Sequence, residues 1–400
     1  MQRYRGKEKE NMRIFHLSDL HIGIRLGNYD LACEQEYMLE QVCLYVTEKK
    51  PDVLILAGDI YHKTVPSAES VQLFDRFLTR LHTENPMLEI MMIAGNHDSA
   101  QRIDYAKNML NRLSIHIAGN PPREVGENLV KVTCKDVYGP VHFYLLPFVK
   151  PVYVRRVFEG ETEPQSYEEA VKHLLERENI DFSERNVLVS HQFYLPVRKT
   201  KDIAQTIERM PSEVVTVGNI DAMDAAIIAD FDYCALGHIH KPMSVGSDTI
   251  RYSGSPYPYS VEEGRQEKGI VMVDLPQKGE KALISVLPLV PQRGVETVHG
   301  SFYELTDENA SENDNYTVVE LTDSIPVSAF DMQEKLRQKY PYLLYVKRSE
   351  AYRKDAEELM KINVEKMDPY ELFLKFAEEL NDEEKELLSS IINEAKEEEF

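Results

Sequence analysis

Five short apolar runs in this chain each stop at a glycine or serine, and side chains able to bind a metal ion or carry a proton follow at once. Ile14–Leu17 leads into Ser18-Asp19-Leu20-His21, and Val53–Ala57 into Gly58-Asp59, with His62 three residues on. Met91–Ala94 leads into Gly95-Asn96-His97-Asp98, Val187–Val189 into Ser190-His191, and Tyr233–Leu236 into Gly237-His238-Ile239-His240. Asp19, His21, Asp59, Asn96, His191, His238 and His240 are oxygen or imidazole donors; the nearest thiol, Cys234, sits inside an apolar run. Mixed carboxylate and imidazole donors suit manganese, iron or zinc, and the lack of thiolate favours the harder ions. Seven donors exceed what one ion needs and suit two ions with a shared carboxylate. Asp59 is the choice of bridge, since a carboxylate offers two oxygens and Asn96 bridges poorly. Two ions about 3.5–4 Å apart acidify a bound water and offset charge on phosphate oxygens, which is the chemistry of phosphoester hydrolysis. Beside them, Asp98 could orient the His97 imidazole, and His97 could meet the phosphate or protonate the leaving oxygen. Asp98 could equally cap a helix start, and chemistry alone leaves His62 open. A lone Asp-x-His or His-x-His is weak evidence of metal; the conjunction of five such turns is what carries weight. His16, His82, His116, His142, His173 and His299 read as ordinary core or surface histidines.

Something must bring these turns together. Apolar runs bounded by turn residues read as buried strands, and layered α/β folds bind ligands at the carboxyl edge of their strands. If the five strands share a sheet, the turns converge on one site. Helical spacing predicts helices over Asp30–Lys49, Ser67–His82 and Arg102–Leu113, so strands and helices alternate to about residue 120. Val130–Val132 and Val141–Leu146, with Gly139-Pro140 as the turn between them, predict a second sheet, hence a sandwich with helices outside. Tyr167–Glu178 reads as a helix; 250–252, 269–275 and 282–289 read as strands. Tyr316–Leu321, Val327–Tyr340 and Tyr342–Lys347 read as strand, helix, strand. Asp368-Pro369 starts the first of two closing amphipathic helices.

A chain of 400 residues with 42% apolar content supports two domains, or one large domain with an appendage. Its four cysteines form no Cys-x-x-Cys pair, which fits a reducing compartment and a cytoplasmic location. No apolar run is long enough for a membrane span, and the first eleven residues lack the apolar core of a secretory signal. The net charge of −22 is awkward for a nucleic-acid binder. It fits an acidic enzyme of small-molecule metabolism, or a nuclease whose metal ions and partner supply the positive field. Arg198, Lys199 and Lys201 form a local basic patch just past His191, placed to meet a phosphate backbone.

The order Asp-x-His, Gly-Asp, Gly-Asn-His-Asp, a lone histidine, then Gly-His-x-His resembles the calcineurin-like metallophosphoesterases over residues 12 to about 290. The resemblance implies an α/β (α+β) fold: a four-layer β-sandwich flanked by helices, here with a small α/β domain and C-terminal helices added. It implies that Asp19, His21, Asp59 and His240 hold one ion and that Asp59, Asn96, His191 and His238 hold the other. Gly58-Asp59-Ile60-Tyr61-His62 lacks the arginine of the protein phosphatases, and with Leu17–Gly23, Gly95–Ser99 and Tyr252–Pro256 it resembles the DNA-repair nuclease branch. That branch implies two manganese ions, catalytic roles for His97 and for His62 as the residue that positions the scissile phosphodiester, 3′-to-5′ cleavage of duplex ends, and endonucleolytic cutting of single strands and hairpins. It implies an ATPase partner with a long coiled coil and a homodimer of nuclease subunits within a heterotetramer. The expected division is a disordered leader at 1–11, the nuclease domain at 12–291, a DNA-capping domain at 292–360 and a helical partner-binding segment at 361–400. A phosphodiesterase or phosphomonoesterase of small substrates is the rival on the same scaffold, but it leaves residues 292–400 without a role. A non-catalytic scaffold is the rival outside enzymes, and the complete donor set argues against it.

Overall fold

The computed structural model describes residues 11–159, 162–196, 221–307, 313–323 and 329–348. The leader up to residue 10, the basic patch of Arg198, Lys199 and Lys201, and the closing helices lie outside the described residues.

The chain opens with β1 (Met12–Leu17), the hairpin β2 (Arg25–Leu26) and β3 (Tyr29–Asp30), and helix α1 (Ala32–Lys49). Next come β4 (Val53–Ala57), α2 (Ala68–Glu84), β5 (Glu89–Ile93), the short helices α3 (Ala100–Ile103) and α4 (Lys107–Leu110), and β6 (Ile115–Ala118). A second set follows: β7 (Val130–Asp136), β8 (Gly139–Leu146), α5 (Pro151–Val154), α6 (Tyr167–Arg177), β9 (Arg185–Ser190), β10 (Phe193–Leu195), β11 (Ala222–Asp224), β12 (Tyr233–Leu236), β13 (Met243–Val245) and β14 (Ser247–Tyr252). β15 (Gly269–Leu275) and β16 (Leu283–Pro288) return to the first set.

Two six-stranded sheets result, in the orders β16-β15-β1-β4-β5-β6 and β13-β14-β12-β9-β8-β7. β1, β4, β5 and β6 are parallel, as are β14, β12, β9 and β8. β4, β5 and β12 read as near-unbroken apolar runs because they are buried on both faces. Along β1, Ile14 faces the inter-sheet core, while Phe15 and Leu17 face the helices. The inter-sheet core joins Ile14, Ile55, Met91 and Ile93 to Phe143, Leu145, Val187, Val189 and Ala235. Helices α1 and α2 cover the outer face of the first sheet through Met38, Val42, Val46, Phe74 and Phe77. Helix α6 covers the second through Val171, Leu174 and Leu175. The layers run helix, sheet, sheet, helix, as expected.

The five ligand turns do not share one sheet. Three follow β1, β4 and β5 in the first, and two follow β9 and β12 in the second. They converge because the two sheets stack with these carboxyl ends at the same edge. Nor do residues 102–113 form one helix. Ala106 takes a left-handed φ of 58°, which breaks the chain into α3, α4 and a 3₁₀ turn at Asn111–Leu113. The Asp104 carboxylate accepts hydrogen bonds from the Gly119 amide at 3.0 Å and the Asn120 side chain at 3.1 Å, which pins the break against the end of β6.

By contact density the chain divides into two compact units. The first holds the sandwich. Among the described residues, the second holds 298–307, 319–323, 329–339 and 345–348. The C-terminal elements are β17 (Val295–Gly300), α7 (Phe302–Leu305), β18 (Tyr316–Leu321), α8 (Ala329–Lys339) and β19 (Leu343–Arg348), the strands in sheet order β17-β18-β19.

Candidate metal centre

The backbone of the ligand turns is itself unusual. Asp19, His21, Asp59 and His238 have φ values of 53°, 42°, 50° and 99°. Left-handed backbone costs a non-glycine residue about 1–2 kcal/mol, and such residues cluster at functional sites where the surroundings over-determine them. Here the turn after β1 is laced to the turn after β4: Asp19 N donates to Gly58 O at 3.0 Å, His21 N to Asp59 O at 2.9 Å and Ile22 N to Ile60 O at 2.9 Å. The glycines make room between the sheets. A β-carbon on Gly58, whose φ is 90°, or on Gly237 would collide with the His191 imidazole.

The donors converge. His191 Nε2 lies 3.3 Å from Asp59 Oδ2, 4.0 Å from Asp19 Oδ1 and 3.1 Å from Asn96 Oδ1. His21 Nε2 is 3.5 Å from Asp59 Oδ2 and 3.1 Å from His240 Nε2. His238 Nδ1 is 2.9 Å from Asn96 Oδ1. Ligand atoms of Asp19, His21 and His240 fall within 4.8 Å of one another, as do those of Asp19, Asp59 and His191. Asp19 belongs to both groups, and Asp59 Oδ2, 3.3 Å from His191 Nε2 and 3.5 Å from His21 Nε2, reaches both as well.

The tautomers follow from the outer partners. A backbone carbonyl can only accept, so His191 Nδ1, 2.7 Å from Ala57 O, carries a proton and Nε2 is left facing the Asp59 and Asn96 oxygens. His240 Nδ1 faces Glu263 Oε1 at 3.3 Å, which aims its Nε2 at His21 Nε2. Two imidazole nitrogens thus face each other at the centre, and His21 Nδ1 is buried with no hydrogen-bond partner among the described residues. Burial pushes the Asp19 carboxyl up; on Asp59 burial acts the same way, but His191 and His21 outweigh it and hold Asp59 well below the usual range. Burial alone would lower His191, yet Asp59 and Asp19 raise it to about 9. A proton there supplies the positive charge that a divalent ion would replace. The donors fit a divalent-metal site without thiolate.

Further groups hold the ligands in place. Glu263 and Lys268 form a buried ion pair at 2.8 Å. Glu263 Oε2 also accepts from Ser255 Oγ at 3.0 Å, while Lys268 Nζ donates to His240 O at 2.9 Å and to Ser255 Oγ at 2.8 Å. The Gln35 amide donates to the carbonyls of Leu20 at 3.0 Å and His21 at 2.9 Å, and the Tyr259 hydroxyl also donates to Leu20 O. Ser18 Oγ donates to Asp19 Oδ2, and the His238 amide donates to Asp19 Oδ1 at 3.0 Å. Sequence reasoning missed Glu263, Lys268, Gln35 and Tyr259. Glu263 and Lys268 sit in a charged stretch that reads as solvated surface, and nothing local marks them as buried.

Asp98 does not orient His97. Its carboxylate accepts from the amides of Gly95 at 2.9 Å, Ile60 at 3.1 Å and Tyr61 at 2.9 Å, tying the β4 turn to the β5 turn. Burial, then the nearby Asp59, push it up to about 6. His97 takes its orientation from elsewhere. Its amide donates to Asp59 Oδ1 at 2.8 Å, and its Nδ1 donates to the His62 carbonyl at 3.0 Å. The His62 and His97 rings stack at 5.6 Å, and burial, then His97, lower the His62 pKa. Both rings line a cleft of about 290 Å³ with Asn96, His238, Phe148 and Lys150. A larger cavity of about 650 Å³, between α2 and the α3–α4 segment, contains none of the donors; the chemistry lies in the smaller cleft.

Residues 12–242 match the family model of the calcineurin-like phosphoesterases, and residues 291–381 match that of the type 5 capsule protein repressor C-terminal domain. A nuclease SbcCD subunit (SbcD) from Staphylococcus epidermidis is 27% identical over 376 residues, 93% of this chain and 94% of that protein. Solved structures resemble it more loosely. GAP50 of Plasmodium has 9% identity and a TM-score of 0.41, over 84% of this chain and 97% of that one. A dimetal phosphatase from Danio rerio has 10% identity and a TM-score of 0.38, over 72% of this chain and 99% of that one.

Proposed function

This chain belongs to the calcineurin-like phosphoesterase family, and from that membership we propose that it is the metal-dependent nuclease subunit of an SbcCD-type complex. One observation carries this: seven metal donors from five turns on two sheets meet beside an open cleft flanked by two further histidines. The staphylococcal relative is matched along nearly all of both chains and bears that name. The separate C-terminal match at 291–381 supports the same reading, since a phosphoesterase of small substrates has no evident use for that region.

The family fold takes divalent metal ions; we propose two, and manganese. Asp19, His21, Asp59 and His240 would hold one, and Asp59, Asn96, His191 and His238 the other. Bound there, they supply Lewis acidity and an acidified water. The chain's own residues do the rest. Asp59 Oδ2 faces both groups, 3.3 Å from His191 Nε2 and 3.5 Å from His21 Nε2, while its Oδ1 accepts from the His97 amide. His97, with Nδ1–H committed to the His62 carbonyl, presents Nε2 to the substrate, and as the imidazolium it would donate Nε2–H to a phosphate oxygen or to the leaving oxygen. His62, stacked beside it, positions the scissile phosphodiester. Asp98 fixes the spacing of the two turns and acts on the chemistry only through them.

The activities that follow are 3′-to-5′ cleavage of duplex ends and endonucleolytic cutting of single strands and hairpins in DNA repair and recombination. An SbcC-type ATPase with a coiled coil would dock on the segment 361–400, residues 292–360 would cap the DNA, and the nuclease domain would be 12–291, in a homodimer within a heterotetramer. Asp59→Asn should take manganese-dependent cleavage of a labelled duplex and a hairpin to background while circular dichroism shows the fold retained. A fully active variant would sink the dinuclear mechanism. Hydrolysis of a generic phosphodiester without any DNA cutting would move the chain to the small-substrate branch.

A further inference from the structure

The cleft beside the donors is narrow. At about 290 Å³ it sits near the small end of single-ligand sites, roughly 300–1,000 Å³. Asn96 and His238 lie in it with His62 and His97, so a phosphodiester has to come down into it to react. One nucleotide fits such a space; a paired base on the opposite strand does not follow it in.

The part of the lining formed by Phe148 and Lys150 has a distinct character. The part-exposed Phe148 ring stacks on His238 at 6.2 Å, with 27° between the planes. Its backbone is fixed by a 2.9 Å hydrogen bond from its amide to Ala94 O, at the start of the Gly95–Asp98 turn. The exposed Lys150 ammonium lies 6.0 Å from the Phe148 ring and 6.0 Å from the Tyr153 ring. Outward, the Arg123 guanidinium lies 5.7 Å from the Tyr153 ring, itself 40% exposed. Aromatic faces alternating with cations are what proteins use to track single-stranded nucleic acid: bases stack on the rings, and the cations follow the backbone. In a chain of net charge −22, a cationic strip that leads into this cleft stands out.

We propose that Phe148 and Lys150 form a docking strip for an unpaired DNA strand, one base on the Phe148 ring and an adjacent phosphate against Lys150, with Tyr153 and Arg123 carrying the strand outward. This rests on the nuclease reading and adds to it that the reacting nucleotide leaves its duplex before cleavage. Unstacking and unpairing a nucleotide is unfavourable; stacking on Phe148 offsets part of that.

The test compares kcat/KM for a single-stranded DNA with kcat/KM for bis(p-nitrophenyl) phosphate, in manganese, using the full chain. Phe148→Ala should lower the ratio of DNA to diester about tenfold, as loss of one stacked base does, and Phe148→Tyr should restore it. Lys150→Gln should reduce the slope of log affinity for single-stranded DNA against log salt by about 0.7, the share of one phosphate contact. An unchanged ratio in Phe148→Ala would overturn the proposal. So would an equal fall on both substrates, which would make Phe148 a mere support for His238. If the wild-type chain hydrolyses the diester and cuts no DNA of any kind, the nuclease reading fails first and the strip falls with it.

Discussion

At the scale of single residues, the centre depends as much on buried partners as on the ligands. Glu263 selects the His240 tautomer that presents Nε2, and such outer partners typically contribute 10–100-fold to metal affinity. Glu263→Gln should weaken manganese binding within that range, measured by paramagnetic resonance of the free ion. Breaking a buried pair also costs about 3–5 kcal/mol through the charge left behind. Glu263→Gln combined with Lys268→Met should therefore recover stability while affinity stays low; equal recovery of both would reduce the pair to a packing device. His16 gives a pH prediction. Burial lowers its pKa to about 3, and its Nδ1 bonds Tyr233 Oη at 2.9 Å. The unfolded chain binds a proton there near pH 6.5 and the folded one does not. The contribution to stability is therefore full above that pH and fades as pH falls toward 3, at about 1.4 kcal/mol per unit. Between pH 6 and 4 the Tm of His16→Gln should fall less steeply than that of the wild type.

At the scale of elements, strand ends and glycines decide where the ligands go. Leu17 pairs with Leu56, Ala57 with Ile93 and Leu236 with Ser190, so each trio or pair of turns begins at one level. Each ligand group draws side chains from both sheets, so the separation of the sheets sets how closely the members of each group approach. Phe143→Ala, at a fully buried position in the inter-sheet core, should cost about 3–5 kcal/mol in denaturant unfolding. Gly58→Ala demands a side chain at φ 90° against His191. It should lower metal affinity more than stability, since the turn has to move away from His191; titration of the metal alongside thermal unfolding separates the two. The elements also show where sequence periodicity misleads. Residues 102–113 carry a helical pattern, yet the Asp104 carboxylate holds the ends of β6 and α3 together more firmly than helix propensity holds a continuous helix.

At the scale of the whole molecule, the acidity and the nucleic-acid reading coexist because the positive charge is local. Two divalent ions would offset the buried carboxylates, and the proposed strip of Lys150 and Arg123 would add positive charge beside the cleft. The strong acidity of the last fifty residues, 16 acids against 7 bases, belongs to the proposed partner-binding end. Deleting residues 366–400 should abolish co-purification with the ATPase while manganese-dependent cutting by the isolated chain persists. Retained tight binding would move the docking site elsewhere.

The proposed donor set was legible in the sequence because chemistry restricts it. Few residue types bind metal, and each stands where an apolar run ends, a pattern that local hydropathy reveals. The sandwich was legible for the same reason: alternating strands and helices, then a second run of strands, leave few ways to bury so many apolar faces. Tertiary structure alone decided that the turns come from two sheets, that Asp98 braces backbone while the His62 carbonyl orients His97, and that Glu263 and Lys268 are buried behind His240. Each of these depends on which distant segments lie against one another, and a carboxylate or an ammonium looks the same in sequence whether it faces water or an imidazole nitrogen.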